Sequence, residues 1–102
     1  MKVELLRIDE CPNWGVTLER LRQALDSVGR SADNIEVVVL RTSAEASEHP
    51  FAGSPTILLD GIDPFPSGGA ITDLACRVYQ TDEGLAGSPT VEQLIRVLDD
   101  RG

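Results

Sequence analysis

Two short apolar runs separated by a helical stretch are the sequence feature that most constrains the fold. Residues 2–8 and residues 35–40 are both strongly apolar, the second rich in β-branched side chains, so each predicts a buried strand. Between them an apolar side chain recurs every three or four residues until Gly29, the pattern of an amphipathic helix with one core face; these residues are Trp14, Leu18, Leu21, Leu25 and Val28. A strand, a helix and a strand of these lengths predict a βαβ unit, with the second strand parallel, central and buried on both faces.

The second half of the chain supplies the rest of a small α/β domain. Thr42 and Glu45 are spaced as a capping box for a short helix, and Thr56–Leu59 predicts a third strand. Residues 74–79 fit either a strand or a helix; we expect a strand, because Thr56–Leu59 needs a partner. Residues 1–102 are therefore expected to form one domain, a four-stranded mixed sheet flanked by helices.

The last predicted helix begins after Thr90, with Gln93 as its capping-box partner. Thr90 closes the second copy of the pentapeptide Ala-Gly-Ser-Pro-Thr, which occurs at residues 52–56 and 86–90. Five residues are too few for a structural repeat, so we interpret the second copy as a turn and helix start and only the first as part of a site.

Composition and charge limit the classes of partner. With 41% hydrophobic and 25% charged residues, the chain resembles an ordinary soluble protein. Its formal charge of -8 argues against nucleic acid or an anionic membrane as a partner. No apolar run approaches the roughly 20 residues of a membrane span, and the acids Glu4, Asp9 and Glu10 are unlike a signal peptide. We expect a cytoplasmic monomer or weak homodimer.

Cys11 is the first candidate for chemistry. It lies in Cys11-Pro12-Asn13-Trp14, where the first strand passes into the helix, so the unpaired N–H groups of the helix start would favour an exposed thiolate. Asp9 acts in the opposite direction, because nearby negative charge raises a thiol pKa. Pro12 suits a first helical turn, and Trp14 is either a core residue or the wall of a ligand pocket. The alternative for Cys11 is a small buried side chain at an element boundary.

Two motifs in this order resemble the thioredoxin superfamily. Cys11-Pro12 follows the first strand, and Gly53-Ser54-Pro55-Thr56 precedes a later strand. The resemblance implies a thioredoxin-like fold with a cis peptide before Pro55, beside Cys11, where the backbone of Ser54 would bind an extended peptide or glutathione. Trp14 stands where dithiol members of the family have their second cysteine. Ser67-Gly68-Gly69 resembles, weakly, the Gly-Gly pair with which glutaredoxins hold glutathione.

Cys76 is the second thiol of the chain. On an outer strand it would lie about 9–10 Å to the side of the first strand, whereas a disulfide needs Cα atoms within about 7 Å. We therefore expect a buried packing role for Cys76 rather than a bond to Cys11, with a distant resolving thiol as the alternative. Two cysteines alone cannot complete a structural zinc site.

These residues support three functional hypotheses. In the first, the chain is a monothiol thioredoxin-like protein: Cys11 forms mixed disulfides with glutathione, as co-substrate, or with protein thiols, and an external thiol releases them. In the second, it is a non-catalytic binding module in which Trp14 and Pro55 line a groove for a peptide or partner subunit. In the third, Cys11 captures a soft metal or an organomercurial, with Cys76 as a second ligand. No resident cofactor is expected.

Overall fold

The computed structural model of this chain describes residues 2–9, 11–30, 34–65 and 74–101. In chain order they form β1 (Val3–Arg7), α1 (Trp14–Ser27), β2 (Ile35–Val39), α2 (Ser43–Ser47), β3 (Thr56–Leu59), β4 (Tyr79–Thr81), β5 (Gly84–Ala86) and α3 (Val91–Arg101). The predicted α/β class and the βαβ unit are confirmed. The Ser67-Gly68-Gly69 segment, which weakly resembles the glutathione-holding Gly-Gly pair, lies outside the described residues.

A three-stranded mixed sheet, in the order β2-β1-β3, forms the centre of the domain. β1 runs parallel to β2, with Val3 opposite Ile35, and antiparallel to β3, with Val3 also opposite Leu59. The prediction that residues 35–40 form the central strand is wrong: β2 is an edge strand of the described sheet, and Glu36 and Val37 are exposed on it. The central strand is β1, which has buried residues along nearly its whole length.

The expected fourth strand of this sheet is replaced by a separate hairpin. β4 pairs with β5, with Tyr79 opposite Ala86, so the described sheet has three strands. The predicted strand over residues 74–79 is wrong except at Tyr79, which begins β4. Residues 74–78 lie outside any strand, and their ladder pairing is an isolated bridge between Cys76 and Ser54.

Two apolar clusters cover the two faces of the sheet, because successive side chains of a strand point to opposite sides. Leu5 belongs to the cluster formed with Leu21 of α1 and Leu94 of α3. Leu6 belongs to the other cluster, which contains Cys11; its remaining buried members are Ile8, Leu40, Ala46, Phe51 and Leu58. Helices therefore flank both faces, as predicted, and Cys11 lies on the face opposite α3.

Both predicted capping boxes are present. The Glu45 amide donates to Thr42 Oγ1 over 3.1 Å at the start of α2. At the start of α3 the bonds are reciprocal, since the Gln93 amide donates to Thr90 Oγ1 over 3.1 Å and the Thr90 amide donates to Gln93 Oε1 over 2.9 Å. None of the helices in the described part of the chain has the length and apolarity that crossing a membrane requires.

Candidate redox site

Cys11 and Cys76 meet in one site and form a disulfide. Their Cα atoms lie 5.8 Å apart although 65 positions separate them in the sequence. The expectation that Cys76 is too distant to bond Cys11, and packs as a buried side chain, is wrong; Cys76 is exposed. That expectation placed Cys76 on an outer strand, whereas the segment that carries it turns back toward the end of β1.

The loop before β3 holds the Cys76 segment in place by backbone hydrogen bonds. The Ser54 amide donates to the Ala75 carbonyl over 2.8 Å, and the Arg77 amide donates to the Ser54 carbonyl over 2.8 Å. The Ile8 amide donates to Ser54 Oγ over 3.0 Å, which ties the same loop to the end of β1. The predicted cis peptide between Ser54 and Pro55 is confirmed. Ser54 thus bonds both the Cys76 segment and the end of β1, which precedes Cys11.

Gly53 permits the close approach of the two segments. Its φ is +109°, and a Cβ placed there would lie 2.8 Å from Arg77 Cβ and 3.0 Å from Arg77 Cα. Any side chain at this position would push the Cys76 segment away from the loop. The glycine of the first pentapeptide copy is therefore required by both its backbone conformation and its neighbour.

A buried ion pair anchors the Cys76 segment on its other side. Arg77 donates to Asp63 Oδ2 over 2.7 Å, and a second guanidinium nitrogen donates to the Phe65 carbonyl over 3.2 Å. The two charged side chains are only 4% and 15% exposed, respectively. The guanidinium carbon also lies 4.5 Å from the centre of the Tyr79 ring. Arg77 is one residue from Cys76, so these contacts fix the position of the cysteine.

Tyr79 links the same segment to Pro55. Its hydroxyl donates to the Pro55 carbonyl, and its ring meets Phe65 edge-on at a centroid distance of 5.4 Å. Burial raises the pKa of Tyr79 above its ordinary value, and the positive charge of Arg77 offsets part of that increase. The hydroxyl therefore stays protonated and keeps its bond to Pro55 at neutral pH.

The backbone groups that the thioredoxin resemblance assigned to a ligand are paired within the chain. The Ser54 amide and carbonyl bond Ala75 and Arg77, and the Pro55 carbonyl accepts from Tyr79. Ser54 and Pro55 are both buried. The Cys76 segment thus occupies the side of the loop on which an extended peptide was expected.

Cys11 is completely buried, contrary to the expected exposed thiol. Its sulfur lies 3.5 Å from the Ser54 carbonyl oxygen, and the Asn13 side-chain amide donates toward it over 3.8 Å. Asn13 was not selected from the sequence, although its place two residues after Cys11 was a usable signal.

The second pentapeptide copy supports Asn13. Gly87 leaves the space that the Asn13 side chain fills, because a Cβ at Gly87 would overlap the Asn13 amide group. The neighbouring Ser88 accepts from Thr17 Oγ1 over 2.8 Å, and Arg20 donates to the Pro89 carbonyl over 3.0 Å. The interpretation of this copy as only a turn and helix start was incomplete, because it also holds the start of α1.

Pro12 and Trp14 lie beside the disulfide at the start of α1. Pro12 is exposed in the turn before the helix, and Trp14 is its first residue. Trp14 is half-buried and belongs to neither described core cluster. The Arg7 guanidinium carbon lies 3.9 Å from the centre of its ring, so Trp14 makes a cation–π contact with Arg7. Asp9 lies 3.6 Å from Arg7 and 3.4 Å from Arg41, which offset its charge near Cys11.

A cleft of about 310 Å³ adjoins the Cys11 cluster. Ile8, Leu40 and Leu74 form its apolar part, and Asp9 and Arg41 are its charged residues. Ile8 and Leu40 pack in the same cluster as Cys11, and Leu74 lies two residues before Cys76. The cleft offers an apolar surface near the disulfide.

Comparisons with models of protein families, with characterised proteins and with solved structures give no match. The chemistry of the site must therefore be argued from its own residues. Within residues 2–9, 11–30, 34–65 and 74–101, no three His, Cys, Asp or Glu side chains are grouped as metal ligands. The reactive groups that the site brings together are the two sulfurs.

Proposed function

We propose that this protein carries out thiol–disulfide exchange with Cys11 and Cys76 as its redox pair. The observation that carries the proposal is the proximity of the two cysteines. They are 65 positions apart in the sequence, yet their Cα atoms lie 5.8 Å apart beside the Ser54–Pro55 cis peptide. Reduction adds two electrons and two protons and converts the disulfide to two thiols. Glutathione or protein thiols supply the electrons.

A thioredoxin-like architecture is part of this proposal. It is supported by a cysteine between β1 and α1, by the parallel pairing of β1 with β2, and by an antiparallel β3 that follows a cis-proline. The hairpin of β4 and β5 departs from the expected fourth strand. In this chain Cys76 supplies the second thiol, rather than the fourth residue of the motif, which is Trp14.

The position of Cys76 changes the expected monothiol chemistry. A mixed disulfide on either cysteine has the other sulfur close enough to attack it. That attack re-forms the Cys11–Cys76 disulfide and releases a bound partner without an external thiol. Because the second thiol belongs to the same chain, a dithiol cycle is favoured over a monothiol one. Glutathione and protein thiols stay as the proposed co-substrates.

The test is equilibration of the folded protein in glutathione buffers of graded redox ratio, followed by acid quenching and mass measurement after alkylation. We expect a single two-electron transition between the Cys11–Cys76 disulfide and the dithiol. The variant with both Cys11→Ser and Cys76→Ser is the control for non-specific adducts. A protein that stays unreacted at every ratio would contradict the proposal and leave the binding-module hypothesis.

Capture of a soft metal or an organomercurial is a second candidate function, favoured by the same proximity of the two sulfurs. Thiolates prefer soft cations, and the reduced pair offers two of them. Titration of the reduced protein with mercuric ion, which binds two thiolates, tests it. One equivalent that protects both cysteines from alkylation supports joint capture, whereas independent binding of two equivalents contradicts it.

A further inference from the structure

The two cysteine residues of the disulfide differ in their exposure to solvent. Cys11 is 0% exposed, enclosed by the apolar cluster on its face of the sheet and by the Ser54 carbonyl. Cys76 is exposed in the segment that crosses the outside of the site. An external thiol can reach only a sulfur that lies at the surface.

The loop before β3 offers no alternative approach to Cys11. The backbone groups of Ser54 that would align an incoming peptide are bonded to Ala75 and Arg77. The buried pair of Arg77 with Asp63 holds that segment in place. An external partner therefore meets Cys76 before it meets Cys11.

We propose that Cys76 is the sulfur that exchanges with external partners and that Cys11 is the internal resolving thiol. This inference rests on the proposed exchange function. It reverses the order that the motif at Cys11 suggested, because there the motif cysteine attacks first.

In the reductive direction, an external thiolate attacks the Cys76 sulfur. A new bond joins the external sulfur to Cys76, the Cys76–Cys11 bond breaks, and its electron pair leaves on Cys11 as a thiolate. A second external thiolate then attacks the external sulfur of the mixed disulfide, and Cys76 leaves as a thiolate. In the reverse direction the Cys76 thiolate attacks one sulfur of a partner disulfide, the partner's S–S bond breaks, and its other sulfur leaves as a thiolate. The Cys11 thiolate then attacks Cys76, forms the Cys11–Cys76 bond, and expels the partner's remaining sulfur as a thiolate.

The surroundings of Cys11 suit its role as leaving group. The Asn13 amide donates toward its sulfur over 3.8 Å, and Cys11 lies just before the start of α1. The Asn13 amide can therefore donate to the negative charge that develops on the departing Cys11 sulfur, and a better-stabilised leaving group departs faster. Gly87 leaves the space that the Asn13 side chain occupies, since a Cβ there would overlap it.

The test maps the mixed disulfide in the wild-type protein. The oxidised protein is exposed briefly to reduced glutathione, quenched with acid, and digested so that the glutathione-bearing cysteine can be identified by mass. We expect the adduct on Cys76. An adduct on Cys11, or equal amounts on the two cysteines, would overturn the assignment.

Single variants give an independent measurement. Cys11→Ser retains Cys76, and Cys76→Ser retains Cys11; each reduced variant is reacted with oxidised glutathione, folded and in denaturant. We expect the folded variant that retains Cys76 to react about tenfold faster or more, because buried Cys11 reacts only after local opening. In denaturant the two rates should converge. Equal folded rates would contradict the assignment.

The two proposals fail in different ways. No reaction of the wild-type disulfide with glutathione refutes the exchange function, and the Cys76 assignment with it. Exchange that proceeds through Cys11 refutes only the assignment.

Discussion

Replacing Gly53 by alanine tests how closely the loop before β3 must approach the Cys76 segment. The matched control is Gly84→Ala in β5, because the two glycines have nearly equal φ values of +109° and +104°. A Cβ at Gly84 meets no atom within 4 Å, whereas a Cβ at Gly53 lies 2.8 Å from Arg77 Cβ. The pair separates backbone strain from steric overlap.

The magnitudes follow from these two contributions. An alanine at positive φ costs about 1–3 kcal/mol at either site. Overlap with Arg77 adds about 1–3 kcal/mol at Gly53 only. The free energy of unfolding of Gly53→Ala should therefore be about 2 kcal/mol lower than that of Gly84→Ala. This difference corresponds to a melting temperature lower by roughly 8–16 °C.

Thermal unfolding of both variants with the disulfide intact measures this difference. Since the overlap falls on Cα and Cβ of Arg77, next to Cys76, Gly53→Ala should also form less of the Cys11–Cys76 disulfide at a fixed glutathione ratio. Gly84→Ala should form the wild-type amount. Equal stability and equal disulfide content of the two variants would refute the reasoning.

Three further predictions concern the contacts that support the site. Asp63→Ala should lower the free energy of unfolding by about 3–5 kcal/mol, because it leaves the Arg77 charge buried without its carboxylate. Urea unfolding measures this change. Adding Arg77→Met to Asp63→Ala should restore part of the lost stability, and a double variant no more stable than Asp63→Ala would contradict an unpaired charge as the cause. Tyr79, the one tyrosine of the chain, should have a pKa above the ordinary value of about 10 in the folded protein. The stability that this shift contributes is complete below the unfolded pKa and is lost as the pH rises through the folded pKa. Absorbance titration of the folded and the unfolded protein measures both pKa values, and equal values would contradict the prediction. Gly87→Ala should slow the reduction of the disulfide by glutathione, because the new Cβ displaces the Asn13 side chain. Gly15→Ala is the control, since a Cβ at Gly15 meets no atom within 4 Å and should leave the rate unchanged. Equal reduction rates in the two variants would contradict the role of Asn13.

Local sequence signals predicted most of the elements. The apolar spacing in α1, the apolar runs of β1, β2 and β3, and the capping boxes of α2 and α3 each depend on neighbours within a few residues. The cis peptide before Pro55 was inferred from the thioredoxin resemblance, and it is present. These features needed no knowledge of the tertiary contacts.

The errors all involve contacts between distant segments. β2 has an apolar run yet lies at the sheet edge, and its Glu36 was the overlooked polar signal. Residues 74–78 alternate as a strand would, but their backbone bonds go to Ser54 rather than to β3. The position of Cys76 depends on those bonds and on the Arg77–Asp63 pair, so sequence spacing alone placed it too far from Cys11.

The role of Asn13 was missed for the same reason. Its position in the Cys11 motif was visible, but the space that receives it comes from Gly87, 74 positions later. The repeated Ala-Gly-Ser-Pro-Thr segment therefore supports the site twice. Its first copy carries the cis-proline loop, and its second carries the glycine that accommodates Asn13.

The most direct test of the account is non-reducing peptide mapping of the folded protein after oxidation by a glutathione buffer and acid quenching. The account predicts one dominant product in which the peptides of Cys11 and Cys76 are joined within a single chain. Two cysteines that stay separate, each alkylated or each carrying glutathione while the protein is folded, would contradict the claim that they form one redox site.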